Sequence, residues 1–328
     1  MPAPDFVWAN DGDYGYGLFL PDAKSAAWFE ANVGRIQDPF LRAMAWGALW
    51  DLVRNLALSP HRYVQRVLDE LPREQDETLA GTVLGRALYA LERYVPDAEA
   101  APLVERLEPL LLARADDRAL SYGLRKAALD AYLGSARSPR ARGILKDYLA
   151  GRRRFEGKPI GQPTRWAAVR QLLLLADPAA DSLFAREQRR DSTPEGPRMA
   201  FISGAARADS ASKARTFERF LADETLNEEW VTASLGAFNE SLHAPLTRPY
   251  LRPALEQSEW IRRHRRIFFL PSWIDAFVGG HASPEALAAV DAFLAQNPDL
   301  PLDIRRRVLQ ARDELERAVR IRAAGAAG

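Results

Sequence analysis

The chain has 328 residues, 47% of them hydrophobic and 27% charged, with 45 Lys+Arg against 44 Asp+Glu. This is the composition of a folded globular protein, and so even a charge balance argues against a nucleic-acid binder, whose affinity rests on neutralising phosphates. Cysteine is absent, which removes disulfides, thiolate nucleophiles and cysteine zinc sites together without fixing a compartment. No run of about 18 apolar residues is present, so no membrane span is predicted. The start, Met1-Pro2-Ala3-Pro4-Asp5, lacks the basic and apolar regions of a secretory leader.

The first twenty residues differ from the rest. Phe6-Val7-Trp8 and Tyr14-Gly15-Tyr16-Gly17-Leu18-Phe19-Leu20 are aromatic runs separated by Asn10-Asp11-Gly12-Asp13, a pattern that reads as a turn between two short strands. A lone hairpin is marginal in water, and no further strand is predicted downstream to pair with it.

From Asp22 onward the period is helical. Trp46, Leu49, Trp50, Val53 and Ala57 fall on one stripe; Val64, Val67, Leu68 and Leu71 repeat it, then Val83, Ala87, Leu91 and Tyr94. Leu103, Leu107, Leu110 and Leu111 follow, and Val308, Leu315 and Val319 keep the pattern near the end. Asp38-Pro39, Ser59-Pro60, Ser138-Pro139, Asp177-Pro178 and Ser283-Pro284 each set a cap oxygen before a proline suited to the first helical position. Short breaks and about 15 helices, mostly of about 10–20 residues, predict an all-α array: an α-α superhelix of HEAT- or armadillo-like hairpins with degenerate repeats. The domain expectation is a β-hairpin-like segment over 1–21 and a helical-repeat domain over 22–328. A possible internal loop break lies at 151–163, and a second long loop at Asp191–Pro197.

Catalytic motifs are missing. No two of His61, His243, His264 and His281 are one helical turn apart, as a helical H-E-x-x-H zinc site requires. His281 and Glu285 are spaced i, i+4 but give only two ligands across a helix start. There is no nucleophile elbow, Walker loop or dinucleotide fingerprint. Asp116-Asp117 and Glu228-Glu229 read as carboxylates favoured at helix N-termini. No catalytic or metal-binding residue is therefore named. Trp230 and Phe238, on a helix capped by Asn227, read as core. The remaining prominent feature is basic: Arg262, Arg263, Arg265 and Arg266, around His264, run from Trp260-Ile261 into the apolar Ile267-Phe268-Phe269-Leu270. A solvated helix face explains it most simply; the alternative is a positive patch that meets a carboxylate.

Ala9-Asn10-Asp11-Gly12 followed by Gly15-Tyr16-Gly17-Leu18 resembles the N-x-x-G-x-G-Y-Y-R strand of aminopeptidase N-type zinc metallopeptidases, the gluzincin aminopeptidases. In that family the strand ends a small β-sandwich and leads into a C-terminal helical cap domain. Arg42, Asp51-Leu52, the Leu58-Ser59 turn and Leu71-Pro72-Arg73-Glu74-Gln75-Asp76 continue the likeness in order over residues 8–95. Leu226–Asn239 and Ile267–Phe277 resemble the bacterial branch. The zinc-binding helix, the downstream zinc-binding Glu and the G-x-M-E-N loop of that family are absent from this sequence.

The resemblance implies a non-catalytic domain whose parent is a zinc-dependent aminopeptidase, with zinc in the catalytic domain and no cofactor in this chain. Its partners would be that catalytic domain, in cis or as a split partner, and peptide substrates, whose access the cap would shape. The parent would be soluble, either cytoplasmic or, with a leader, periplasmic or secreted. The four arginines are the candidates for holding a peptide's carboxylate. The alternative is a free-standing α-solenoid scaffold that binds a peptide or protein on its concave face; an enzyme with an unrecognised site ranks below both.

Overall fold

The computed structural model describes residues 4–222 and 226–325. The first three residues of the predicted 1–21 segment, residues 223–225 and the last three of the chain lie outside these. The described residues form 17 α-helices and four short 3-10 turns, so the all-α array is confirmed, with two more helices than the periodicity predicts. The chain divides into two compact units: residues up to 131 together with those from 320 onward, and residues 132–319.

In the first unit α1 (Ala23–Asn32), α2 (Pro39–Arg54), α3 (Pro60–Glu70), α4 (Glu77–Arg93) and α5 (Asp97–Asp116) follow in order, and α6 (Tyr122–Ser135) runs on into the second unit. Their starts follow from local chemistry. Asp22, Asp38 and Asp76 each accept a hydrogen bond from a first-turn N–H, and Pro39 and Pro60 open their helices without wasting a donor. The predicted stripes are the core: Trp46, Leu49, Trp50 and Val53 are buried, as are Val64, Val67, Leu68 and Leu71. Ala57 falls past the end of α2 and is exposed. Trp50 stacks on Tyr94 at 5.7 Å and meets Tyr63 at 5.4 Å.

The second unit holds α7 (Pro139–Leu149), α8 (Gln162–Leu174), α9 (Ala180–Arg190), α10 (Gly196–Gly204), α11 (Ser210–Ala222) and α12 (Glu228–Phe238). It continues with α13 (Ala244–Glu256), α14 (Ser258–His264), α15 (Phe269–Gly279), α16 (Pro284–Gln296) and α17 (Leu302–Gly325), whose residues from Arg320 belong with the first unit. The centre is aromatic. Trp273 and Phe277 lie 4.5 Å apart, and Phe220 packs edge-on to Phe238 at 5.5 Å. Phe238 is fully buried as expected, whereas Trp230 is only half-buried.

Three expectations are corrected. The N-terminal runs do not form a hairpin, because a pair of strands without a sheet has too little to bury. Phe6 instead stacks on Trp28 at 4.2 Å, Trp8 meets Phe29 at 5.8 Å, and the turn between the runs is the 3-10 segment Asp11–Asp13. Asp116 and Asp117 stand at the C-terminal end of α5, where the dipole disfavours a carboxylate, and Asp117 turns forward to accept from Ala119 N at 2.9 Å. Asp177-Pro178 precedes α9 by a turn rather than opening it, although Asp177 still accepts from Ala179 N at 3.0 Å. The 151–163 loop lies inside the second unit. There Glu156 and Gly157, with φ of 54° and 71°, close a two-residue turn across the single bridge Phe155–Lys158 found among the described residues.

A recurring device ties helices together. The last carbonyls of a helix lack intrahelical donors, and here long side chains from other helices supply them. Arg125 donates to Ala115 O at 3.2 Å, Gln171 to Ala136 O at 2.9 Å, and Arg165 to Leu149 O at 3.0 Å. Cations suit these positions because the C-terminal end of the helix dipole is negative.

Candidate functional site

The four candidate arginines sit where α14 ends and the chain turns into α15. The structure separates them. Arg263 pairs with Glu259 one turn back, and Arg262 approaches Asp303 at 3.7 Å. Arg265 is structural: its guanidinium lies 5.4 Å from the Trp260 ring and 5.7 Å from the Phe269 ring, and it donates to Phe220 O at 3.4 Å. Arg266 is exposed, and no acidic partner of its side chain appears among the described residues; its backbone N–H donates to both Glu228 oxygens at 3.3 Å. Next to it Ile267 and Phe268 are 81% and 82% exposed, and Trp260, stacked on His264 at 4.8 Å, is 40% exposed. Arg266, Ile267 and Phe268 are thus exposed together at the junction of α14 and α15.

In the first unit a pocket of about 200 Å³ lies among Ile36, Arg42, Trp46, Glu70, Arg73 and Glu74. Its wall is a bidentate pair: Arg42 Nε to Glu74 Oε2 at 2.8 Å and Nη2 to Oε1 at 3.0 Å. Glu74 also accepts from Gln75 N and Asp76 N, both at 3.0 Å, so both charges are satisfied within the protein. The Glu70 carboxylate lies over Gly34 so closely that a Cβ there would collide with it. These groups neutralise one another and hold the α2–α3 corner together.

Two perturbed titratable groups are buried in the second unit. Lys213, 1% exposed, donates to Ala205 O at 2.9 Å and to Phe238 O at 2.6 Å, closing the C-terminal ends of α10 and α12 with one ammonium. Burial pushes it down to about 8, against the pull of Glu240 and Asp209. His243, 5% exposed, meets Leu174 O through Nε2 at 2.9 Å; burial first, then the Lys213 charge, hold it below the usual imidazole range. Histidine spacing alone does not single these residues out. Lys213 does leave one signal: with Phe217 and Phe220 it falls at i, i+4, i+7 on the apolar stripe of α11.

The described residues do not fit a zinc ion. His243 is committed to Leu174 O, His264 Nδ1 to Trp260 O at 2.8 Å, and His61 Nδ1 lies 3.1 Å from Glu99. Among the described residues no three His, Cys, Asp or Glu side chains are grouped so as to hold a metal, and no helix is long and apolar enough to cross a membrane.

Fold and surface together define a helical-array domain whose clustered charges hold helices to one another. Residues 6–317 match the family described as the ERAP1-like C-terminal domain, and the chain belongs to that family. It is 27% identical to Aminopeptidase N of Streptomyces lividans over 329 residues, covering 99% of this chain and 38% of that protein. The chain thus spans less than two-fifths of the length of this relative, and the resemblance read from Ala9 to Asp76 is upheld.

Proposed function

We propose that this chain is the non-catalytic C-terminal domain of a zinc aminopeptidase and acts in peptide hydrolysis only together with a zinc-bearing catalytic part. The observation that carries the reading is the family match over 6–317, taken with the 38% share of an Aminopeptidase N that the chain covers. In this reading residues 1–21 are the end of a preceding β-sandwich and 22–328 the cap. Tyr14 and Tyr16, 95% and 109% exposed, form an apolar surface that fits the remainder of such an enzyme. The cap shapes which peptides reach the metal, and Arg266, beside Ile267 and Phe268, meets a peptide's distal carboxylate as a charge-assisted hydrogen-bond donor.

The test is complementation. The chain is co-expressed with an Aminopeptidase N truncated before its own C-terminal domain, and hydrolysis of long peptides is compared with that of single aminoacyl amides. The expected result is a complex that recovers peptide hydrolysis, while the chain alone with zinc turns over neither substrate. Chelator-sensitive activity of the isolated chain would overturn the reading, as would failure of the two parts to associate. The exposed Ile267–Phe268 turn also suits a second reading, a scaffold that binds a peptide or protein; capture of a defined partner unrelated to peptidases at that turn would select it.

A further inference from the structure

His243 closes the 3-10 turn Ser241–His243 and is the N-cap residue of α13. Its Nε2 lies 2.9 Å from the carbonyl of Leu174, the last residue of α8. A carbonyl only accepts, so Nε2 carries the proton and Nδ1 of the neutral ring carries none. Nδ1 is itself buried, with no hydrogen-bond partner among the described residues.

Three features oppose a second proton there. The ring is shut away from water, so a charge on it has no solvation. The Lys213 ammonium from α11 acts on it directly. The free N–H groups that open α13 present further positive charge. The other charged and titratable groups around this pair do not reverse the balance. Glu240 and Asp209 act on Lys213, Arg248 on α13 is engaged with Glu285 at 3.7 Å, and His281 follows Gly280, which packs against the Asn239 backbone.

We propose that His243 is an acid-operated latch of the second unit: the neutral ring holds the start of α13 to the end of α8, and a proton on Nδ1 releases that hold. An imidazolium beside an ammonium in a dry core is driven toward solvent, and its departure leaves Leu174 O without its donor and the start of α13 without its tie to the end of α8. The direction is fixed by linkage. With the folded value below the unfolded 6.5, the open state binds more protons, so closure is complete above that value and weakens as pH falls beneath it. One proton sets a limit of about tenfold in the open population for each pH unit.

The test is amide hydrogen exchange of the full chain between pH 7 and 5, corrected for the intrinsic pH dependence of exchange. Amides of Ser241–His243 and the first turn of α13 are expected to open increasingly on acidification, approaching that tenfold per unit. The variant His243→Gln, which keeps a donor for Leu174 O but cannot titrate, is expected to lose this slope. An equal slope in both proteins would overturn the proposal. Nitrogen-resolved NMR of the wild-type imidazole decides the matter independently, should the variant fold poorly. A ring that stays in the Nε2–H form at pH 6 supports the latch; a His243 titrating at the usual 6.5 without local opening sinks it.

Discussion

Arg165 and Glu187 face each other inside the second unit with side chains 5% and 1% exposed, bonded from Nε to Oε1 at 2.8 Å and from Nη2 to Oε2 at 2.6 Å. Gln162 adds a donor to Glu187 at 2.6 Å, and the remaining arm of Arg165 reaches Leu149 O. The pair therefore joins α7, α8 and α9. Breaking it leaves a buried guanidinium with no counter-charge, so Glu187→Ala is expected to cost about 3–5 kcal/mol. The double variant Arg165→Met/Glu187→Leu removes both charges and is expected to lie closer to the wild type. Urea denaturation of the three proteins checks the order; a double variant as unstable as the single would show that the Leu149 contact carries the energy instead.

Lys213 makes a prediction in the same pH direction as His243, in a higher window. Its folded value, about 8, lies below the ordinary 10.5, so the unfolded chain holds the proton more tightly and this group's contribution to stability rises between those two values. The neutral amine keeps two N–H donors, enough for Ala205 O and Phe238 O. Lys213→Met removes both bonds and is expected to destabilise by about 3 kcal/mol at pH 7, from two buried acceptors left unpaired. The gap from wild type should widen as pH is raised from 8 toward 10.5. Denaturant midpoints of both proteins at pH 7.5 and 10 measure it, and a narrowing gap would mean that the two carbonyls require the charged form.

The helices were legible because their starts are local. Ser138-Pro139 and Ser283-Pro284 carry cap and opener within two residues, and both open helices with the serine oxygen accepting a first-turn N–H. Helix ends were not legible, since their carbonyls are met from afar: Leu174 by His243 and Ala136 by Gln171. Arg42 and Glu74 show the same limit from another side. Both stand in the stretch that resembles the aminopeptidase domain, yet nothing in their spacing says that they meet as a bidentate pair. Among the candidate arginines, periodicity cannot tell Arg265, folded over two aromatic rings, from Arg266, which is exposed. The N-terminal runs misled because aromatic alternation records what a strand needs, and Phe6 and Trp8 meet that need on α1.

Arg265 and Arg266 are adjacent, and their substitutions should separate by readout. Arg265→Ala loses stacking on Trp260 and Phe269 and is expected to cost about 1 kcal/mol of stability. Arg266→Ala is expected to fall within about 0.5 kcal/mol of the wild type. In the reconstituted enzyme Arg266→Glu should raise KM for long peptides and leave single aminoacyl amides unchanged. Equal effects on both substrates would assign Arg266 to general destabilisation.

Asn10 governs the exposed aromatic segment from a distance. Buried to 7% exposure, it donates through Nδ2 to Asp13 Oδ1 at 2.9 Å and to Gly15 O at 3.3 Å, and accepts from Gly15 N through Oδ1 at 2.8 Å. These bonds close a loop in which Gly12 and Asp13 hold φ of 73° and 56°, a conformation that costs an aspartate energy unless its surroundings enforce it. Asn10→Ala removes all three bonds at once, while the aromatic contacts of Phe6 and Trp8 with α1 stay in place. The loss should therefore be local. Limited chymotrypsin digestion is expected to cut at Tyr14 and Tyr16 severalfold faster, with the melting temperature changed by less than about 2 °C, since loop tips open independently of the core. A large fall in melting temperature would instead make Asn10 part of the α1 packing, and the segment could no longer be treated as a separately anchored surface.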